Sequence, residues 1–438
     1  MELNSLDVMP IKTAISANGH LIVGGCDVVE LSEKYGTPLY VYDESTIRLM
    51  AESFTKEFSS RYSNSRVLYA SKAYINPAIA KLAVQEGLGI DIVSGGELAV
   101  AAAVDFPPED IFFHGNNKSQ EEISEALDYG IGQFVADSFY EIQLINKIAA
   151  MRNHIQKVML RLSPGIDGHT HKKTTTGILD TKFGFLIETG DALKAINEVQ
   201  SCKNLDLTGI HFHLGSPIFE TEPYARAITR VLEFLAPVIK DGFNMRDFSP
   251  GGGFAVGYTK DKFPPSIGEY ADTITKAVIA SCERFDIAYP RLLVEPGRSI
   301  IARAGVALYK IGAIKDIPGV RKYVSVDGGM GDNIRPALYD SRYEVILANK
   351  LHEKDKEHVR LVGKYCETGD ILADNVLLPE CSTGDLIAMP VSGAYGMSMS
   401  SNYNLNPRPA VIIVAHGNSK VIRRRETYLD LMRCDEFE

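Results

Sequence analysis

Residues 66–93 read RVLYASKAYINPAIAKLAVQEGLGIDIV, and the fold turns on how this stretch divides. Arg66–Ala70 is a short run of strand formers that stops at Ser71 and Lys72. Pro77–Gln85 then carries apolar residues at helical spacing, and Gly89–Val93 returns to strand character. The stretch is one strand–helix–strand unit.

The unit recurs along the chain. Further candidate strands are Ile111–His114, Gln133–Ala136, Val158–Leu162, Gly209–His213, Met245–Phe248 and Leu292–Glu295. Amphipathic segments lie between most of them, including Gln120–Tyr129, which Ser119 opens as an N-cap, and Tyr224–Lys240. Local alternation of this kind fits a doubly wound open sheet or a (β/α)8 barrel, and the count of eight favours the α/β barrel.

Polar and glycine residues cluster just beyond the strands' carboxyl ends: Lys72, Ser94 with Gly95 and Gly96, Asn116 with Asn117, Asp137, Pro164, His213 with Ser216, Gly251–Gly253, and Glu295–Arg298. Barrel enzymes place their chemistry at that end.

After about residue 305 the helical pattern thins. Short strand-like runs replace it: Val306–Ile311, Lys322–Val326, Arg360–Gly363, Asp385–Met389 and Ala410–Val414. His20–Val23 and Leu39–Val41 read the same way. The division expected is a barrel over 40–305 and a mostly β domain built from 1–39 and 306–438.

The bulk numbers narrow the class. The chain has 438 residues, 45% hydrophobic and 23% charged, as in a soluble globular protein with a sizeable core. A net charge of -10 and the absence of a dense basic run argue against nucleic-acid and anionic-membrane partners. The six cysteines form no C-x-x-C pair and no zinc spacing, which reads as reduced thiols in a cytoplasmic protein. No apolar run reaches the ~20 residues of a membrane span.

Several stretches carry chemistry. A lysine at the mouth of a barrel, partly desolvated, releases its proton readily enough for imine formation, although a lone loop lysine is usually a surface residue. Ser249-Pro250-Gly251-Gly252-Gly253-Phe254 lets backbone N–H groups approach an anion, or is simply a flexible turn. In Glu295-Pro296-Gly297-Arg298 the carboxylate suits a heteroaromatic nitrogen and the guanidinium an anion, unless the two merely pair with each other. His211 and His213 share a strand face. His213 is placed to stack on a flat ring and Ser216 to reach a phosphate; no third ligand accompanies the histidines, so no metal is expected. Arg335 and Tyr339 fall within one short turn, Cys366 stands beside Glu367, and Tyr395 lies between small residues. Each of these last three is, alone, most simply a structural turn.

Taken together, YASKA, HFHLGS, GGGF, EPGR, NIRPALY, CETGD and SGAYG resemble the diaminopimelate decarboxylases. These belong to the alanine-racemase-like barrel group of pyridoxal-phosphate enzymes. The first four motifs are common to that group and the last three lean towards the diaminopimelate branch. The resemblance spans nearly the whole chain, from Thr37 to Thr427.

It implies Lys72 as the Schiff-base lysine for pyridoxal 5'-phosphate and His213 as the ring stacker. Ser216, Gly252 and Gly253, with the backbone of Gly297 and Arg298, match the phosphate site. Glu295 corresponds to the partner of the pyridine nitrogen. Arg298, Arg335 and Tyr339 correspond to groups holding the substrate's distal end, Glu367 to the group on its distal ammonium, and Tyr395 to a contact of both cofactor and substrate. Cys366 corresponds to the proton donor. Asp91 and Asn116 sit on strand ends near the cofactor.

The reaction implied is decarboxylation of meso-2,6-diaminopimelate to L-lysine and CO2, the last step of lysine biosynthesis. The family also implies a head-to-tail homodimer in which Cys366 and Glu367 serve the neighbouring subunit. Pro217, Thr368 and Tyr343 depart from the commonest residues at their positions. Pro217 and Tyr343 bear on substrate selectivity, which keeps a related barrel decarboxylase with another amino-acid substrate as the alternative. A racemase would need a second acid/base on the opposite ring face, and a non-catalytic cofactor carrier would lack the β domain that holds Cys366, Glu367 and Tyr395.

Overall fold

A computed structural model of the chain describes residues 8–168, 174–177 and 180–436. They divide into two units. One holds the described residues through Met50 together with Val256–Phe263 and the chain from Arg298 onward; the other holds Ala51–Ala255 and Pro264–Gly297.

The second unit is a closed parallel barrel. Its strands are β1 (Ser65–Ala70), β2 (Gly89–Ile92), β3 (Ile111–Phe113), β4 (Gln133–Ala136), β5 (Gln156–Ser163), β6 (Leu205–Phe212), β7 (Asp247–Ser249) and β8 (Arg291–Val294). Each pairs parallel with the next, and β8 returns to β1 with Leu292 opposite Ser65 and Val294 opposite Val67. Leu68, Phe112, Val135, Met159 and Leu293 form one buried cluster drawn from five of these strands, as expected of side chains filling a barrel interior.

All eight expected strands are present, seven of them with shifted ends. β6 starts at Leu205, four residues before its predicted start, and passes an irregularity between Leu207 and Gly209. A Cβ on Gly209 would lie 2.0 Å from the Asp247 carbonyl oxygen, so only glycine lets β7 approach there.

The helices after the first four strands are opened by side-chain caps at the barrel's carboxyl end. Asn76 caps Pro77–Gln85 with proline in the first turn, Ser94 caps Gly95–Ala102, and Ser119 with Glu122 forms a capping box on Gln120–Tyr129. The caps terminate each strand's extended backbone and turn the chain outward within a few residues, leaving the loops between strand and cap free to carry the site.

The first unit is mostly β. Leu39–Asp43 lies between Gly305–Ile317, to which it is antiparallel, and Ala410–Ala415, to which it is parallel. Met9, Leu21, Val23, Leu39, Val41, Val306, Leu308, Ile412 and Val414 share one core, so the amino-terminal segment supplies part of it. The two longest strands that escaped the sequence reading are Ile371–Leu378 and Asn418–Arg423. Both present many exposed residues and are held as strands by pairing with Glu357–Val362 and Ala410–Ala415, a tertiary effect that outweighs weak local propensity.

Candidate active site

Lys72 sits in a single 3-10 turn, Ser71–Ala73, directly after β1. Its Nζ lies 2.9 Å from Oδ2 of Asp91, which projects from β2 and is fully buried. Lys72 is partly desolvated: its side chain keeps 40% of its exposure. Burial pushes the Asp91 carboxyl above its usual range, and Lys72 pulls it back only in part. The turn is braced from beneath: Ser71 Oγ lies 2.6 Å from both the Asp91 carbonyl oxygen and Glu97 Oε2, and Glu97 also accepts from the Val93 N–H.

Glu295 follows β8 and points into the barrel. Ser249 Oγ donates to its Oε1 at 2.7 Å, and His211 Nε2 lies 3.1 Å from its Oε2. Burial raises this carboxyl, but the His211 ring and hydrogen bond outweigh it and hold Glu295 well below the usual range, so it is an ionised buried carboxylate. His114, just after β3, stands edge-on to His211 with ring centroids 4.8 Å apart. Its Nε2 lies 3.8 Å from both Asp91 Oδ1 and Glu295 Oε1. Burial drives its pKa well down, leaving the ring neutral.

Of the expected histidine pair, His211 alone joins a group with ligating atoms; His213 is not part of it. His114, His211 and Glu295 bring ligand atoms within 4.8 Å of one another, because three strand ends converge on the barrel axis. Both Glu295 oxygens are already engaged by Ser249 and His211, which marks the cluster as a hydrogen-bonded acidic group.

The glycines of the β7 loop are sterically required. A Cβ on Gly252 would meet the Glu295 carbonyl oxygen at 2.1 Å, and one on Gly253, where φ is +101°, would meet the Gly215 oxygen at 2.4 Å. The Gly252 N–H points to His213 Nδ1 at 3.3 Å, and the Glu295 N–H donates to the Gly251 oxygen at 3.1 Å. His213 lies one residue past β6, its pKa lowered by burial and by Arg161. Ser216 lies in the loop that follows, half-buried. A Cβ on Gly297 would stand 2.8 Å from the Ala70 oxygen, so Gly297 lets the chain after β8 lie against the Lys72 turn.

Two buried cations in this unit were missed by sequence reading. Arg161 interrupts the apolar run of β5 and faces Asp137 at 3.8 Å and the Phe183 ring at 4.3 Å. A charge in the middle of VMLRLS was the available signal. Lys118 pins the Asn116 loop through Glu141 Oε1 at 2.6 Å and two backbone oxygens.

The β-rich unit holds a second group. Arg298 and Arg335 are 6% and 5% exposed. Arg298 Nη1 donates to Tyr258 Oη at 2.6 Å, and its Cζ lies 4.6 Å from the Tyr395 ring centre. Arg335 Nη1 donates to Tyr343 Oη at 2.6 Å, and its Cζ lies 4.7 Å from the Tyr258 ring centre. Tyr395 holds φ +61°, a left-handed backbone that costs a non-glycine residue energy. Tyr339 is half-buried and ends the short helix that Arg335 begins. Cys366 and Glu367 are exposed. Their loop is pinned by Asp370, which accepts from the Met330 and Tyr365 N–H groups at 2.7 and 2.9 Å.

The donor set fits pyridoxal phosphate: an amine beside a carboxylate, an ionised buried carboxylate, and a glycine loop with no room for side chains. Comparison with known proteins agrees. Residues 45–302 match the family model for the pyridoxal-binding domain of pyridoxal-dependent decarboxylases. The chain is 45% identical to diaminopimelate decarboxylase of Bacillus subtilis, over 95% of each chain, and 42% identical to that of Halalkalibacterium halodurans, over 96% of each. The structure of the M. jannaschii diaminopimelate decarboxylase in complex with L-lysine superposes with a TM-score of 0.92 at 35% identity, covering 98% of each chain. This chain belongs to the diaminopimelate decarboxylase family of pyridoxal-dependent decarboxylases.

Proposed function

We propose that this chain decarboxylates meso-2,6-diaminopimelate to L-lysine and CO2 with pyridoxal 5'-phosphate bound at Lys72. Bound there, the cofactor supplies the electron sink for the pair left behind when CO2 departs. Glu295 would keep the pyridine nitrogen of the bound cofactor protonated, because an ionised carboxylate with two donors already on it is a fixed negative charge in a dry site. Asp91, raised by burial and 2.9 Å from Nζ, takes and returns protons at Lys72. Gly252, Gly253 and Ser216, with the Gly297 and Arg298 backbone, would hold the phosphate, and His213 would stack on the ring.

Arg335 is the observation that carries the substrate assignment. It is a buried guanidinium whose hydrogen bond goes to a neutral phenol, and no carboxylate pairs with it among the described residues. A second substrate carboxylate completes such a site, whereas a diamine-forming decarboxylase has no group to offer it. Arg298, Tyr339 and Tyr395 share this end. Cys366 supplies the proton and Glu367 binds the distal ammonium in the neighbouring subunit of a head-to-tail homodimer; their exposure on a pinned loop supports that reading. The six free cysteines support a reducing, cytoplasmic setting.

The test is CO2 release from meso-diaminopimelate compared with lysine, ornithine and arginine. Turnover of ornithine or arginine at a rate matching diaminopimelate would refute the assignment.

A further inference from the structure

Tyr258 has no place in the roles assigned so far, yet it touches both arginines of the substrate group. Its hydroxyl accepts from Arg298 Nη1 at 2.6 Å, and its ring face carries the Arg335 guanidinium at 4.7 Å. Tyr343 closes the arrangement, edge-on to Tyr258 with ring centroids 5.1 Å apart and its own hydroxyl on Arg335. Each of the two buried guanidiniums thus donates to a tyrosine hydroxyl. A phenol satisfies one N–H of a guanidinium and leaves its charge intact, whereas a carboxylate in that place would cancel the charge. Burial pushes the Tyr258 hydroxyl up, but Arg298 and Arg335 outweigh it and draw it below its ordinary value, as expected of an oxygen facing two positive charges.

We propose that Tyr258 is the positioning residue of the distal-carboxylate grip, orienting Arg298 with its hydroxyl and Arg335 with its ring so that both guanidiniums face the second carboxylate of the substrate. This rests on the substrate reading above. Tyr258 acts through the arginines and makes the enzyme selective for amino acids that carry a carboxylate at the far end. Tyr343 supports it by holding Arg335 in the plane that stacks on Tyr258.

The test compares Tyr258→Phe, which keeps the ring and loses the hydroxyl, with the wild-type holoenzyme. One hydrogen bond to a charged group corresponds to roughly tenfold in binding. We expect KM for meso-diaminopimelate to rise about tenfold, with kcat falling less than about threefold. L-lysine keeps the distal carboxylate, so its inhibition constant should rise by the same factor, while that of 1,5-diaminopentane, which has no carboxylate, should stay unchanged. A merely structural role would move both inhibitors together or lower kcat and cofactor content alone, and either result overturns the proposal. Arg335→Lys separates the two levels of argument. If it weakens diaminopimelate and L-lysine while Tyr258→Phe weakens neither, the positioning role is wrong. If Arg335→Lys also leaves both unchanged, the distal-carboxylate reading itself fails.

Discussion

Replacing Glu295 by glutamine tests the core of the site while preserving its shape. The wild-type carboxylate receives Ser249 Oγ at 2.7 Å and faces His211 Nε2 at 3.1 Å, all three groups being buried. Glutamine offers one acceptor oxygen and one NH2 group. The Ser249 hydroxyl can rotate to accept from that NH2, so the local network survives with one rearranged hydrogen bond. The negative charge does not survive. A charge-assisted hydrogen bond contributes ~1.5–3 kcal/mol, and 1.36 kcal/mol is a factor of ten in rate, so kcat should drop roughly 10- to 150-fold. The assay is CO2 release at saturating substrate and cofactor, with thermal unfolding recorded to confirm an intact fold. A Glu295→Gln enzyme with full cofactor content and kcat within threefold of wild type would refute the assignment of Glu295 to the heterocyclic nitrogen.

Further outcomes follow from other parts of the molecule. Gly252→Ala places a methyl group 2.1 Å from a backbone oxygen that cannot swing aside, an overpacking of about 1–3 kcal/mol, and should weaken cofactor binding in an equilibrium titration. Gly96→Ala, whose nearest neighbour would be Ser94 Oγ at 3.7 Å, should not. Lys72→Ala and Cys366→Ala should each be inactive, and mixing the two should restore CO2 release through dimers with one complete site; no recovery after subunit exchange, verified by sedimentation of tagged chains, would count against shared sites. Asp332, buried under Tyr309, has its carboxyl pushed up to about 7 by desolvation. Its folded pKa lies above the unfolded value of about 3.9, so its contribution to stability is complete below about pH 4 and is lost as pH rises through about 7. The stability gap between wild type and Asp332→Asn, measured by denaturant unfolding, should therefore shrink between pH 4 and 8 by up to ~4 kcal/mol; a constant gap would show that Asp332 does not titrate there.

The barrel was legible because its signals are local. Strand runs of four to eight residues, a polar cap and an amphipathic helix follow from backbone preferences and side-chain period, and they recur with little interference. Gln133–Ala136, Pro77–Gln85 and Gln120–Tyr129 were placed to the residue. Ile371–Leu378 was not, since Asp374 and Asn375 interrupt ILADNVLL, which carries almost no period-two alternation of its own and is defined by its partner.

For the site, linear motifs named Lys72, Glu295, the glycine loop and Arg335, because each combines an unusual residue type with a strand end or a tight turn. His114, Arg161 and Tyr258 were invisible as site residues. His114 read as the last residue of a strand, Arg161 as one charge in an apolar run, and Tyr258 as an unremarked tyrosine after a glycine loop.

Sequence alone determined the cofactor chemistry and the order of elements, since those depend on residue type and spacing along one chain. Only tertiary structure decided that His114 and His211 meet at Glu295 and that Tyr258 joins Arg298 to Arg335. Closing a sheet into a barrel staggers its strands, and that stagger brings the strand-end side chains of His114, His211 and Glu295 to one height. Tyr258, Arg298 and Arg335 come from three separate stretches of chain that only the folding of the β-rich unit joins.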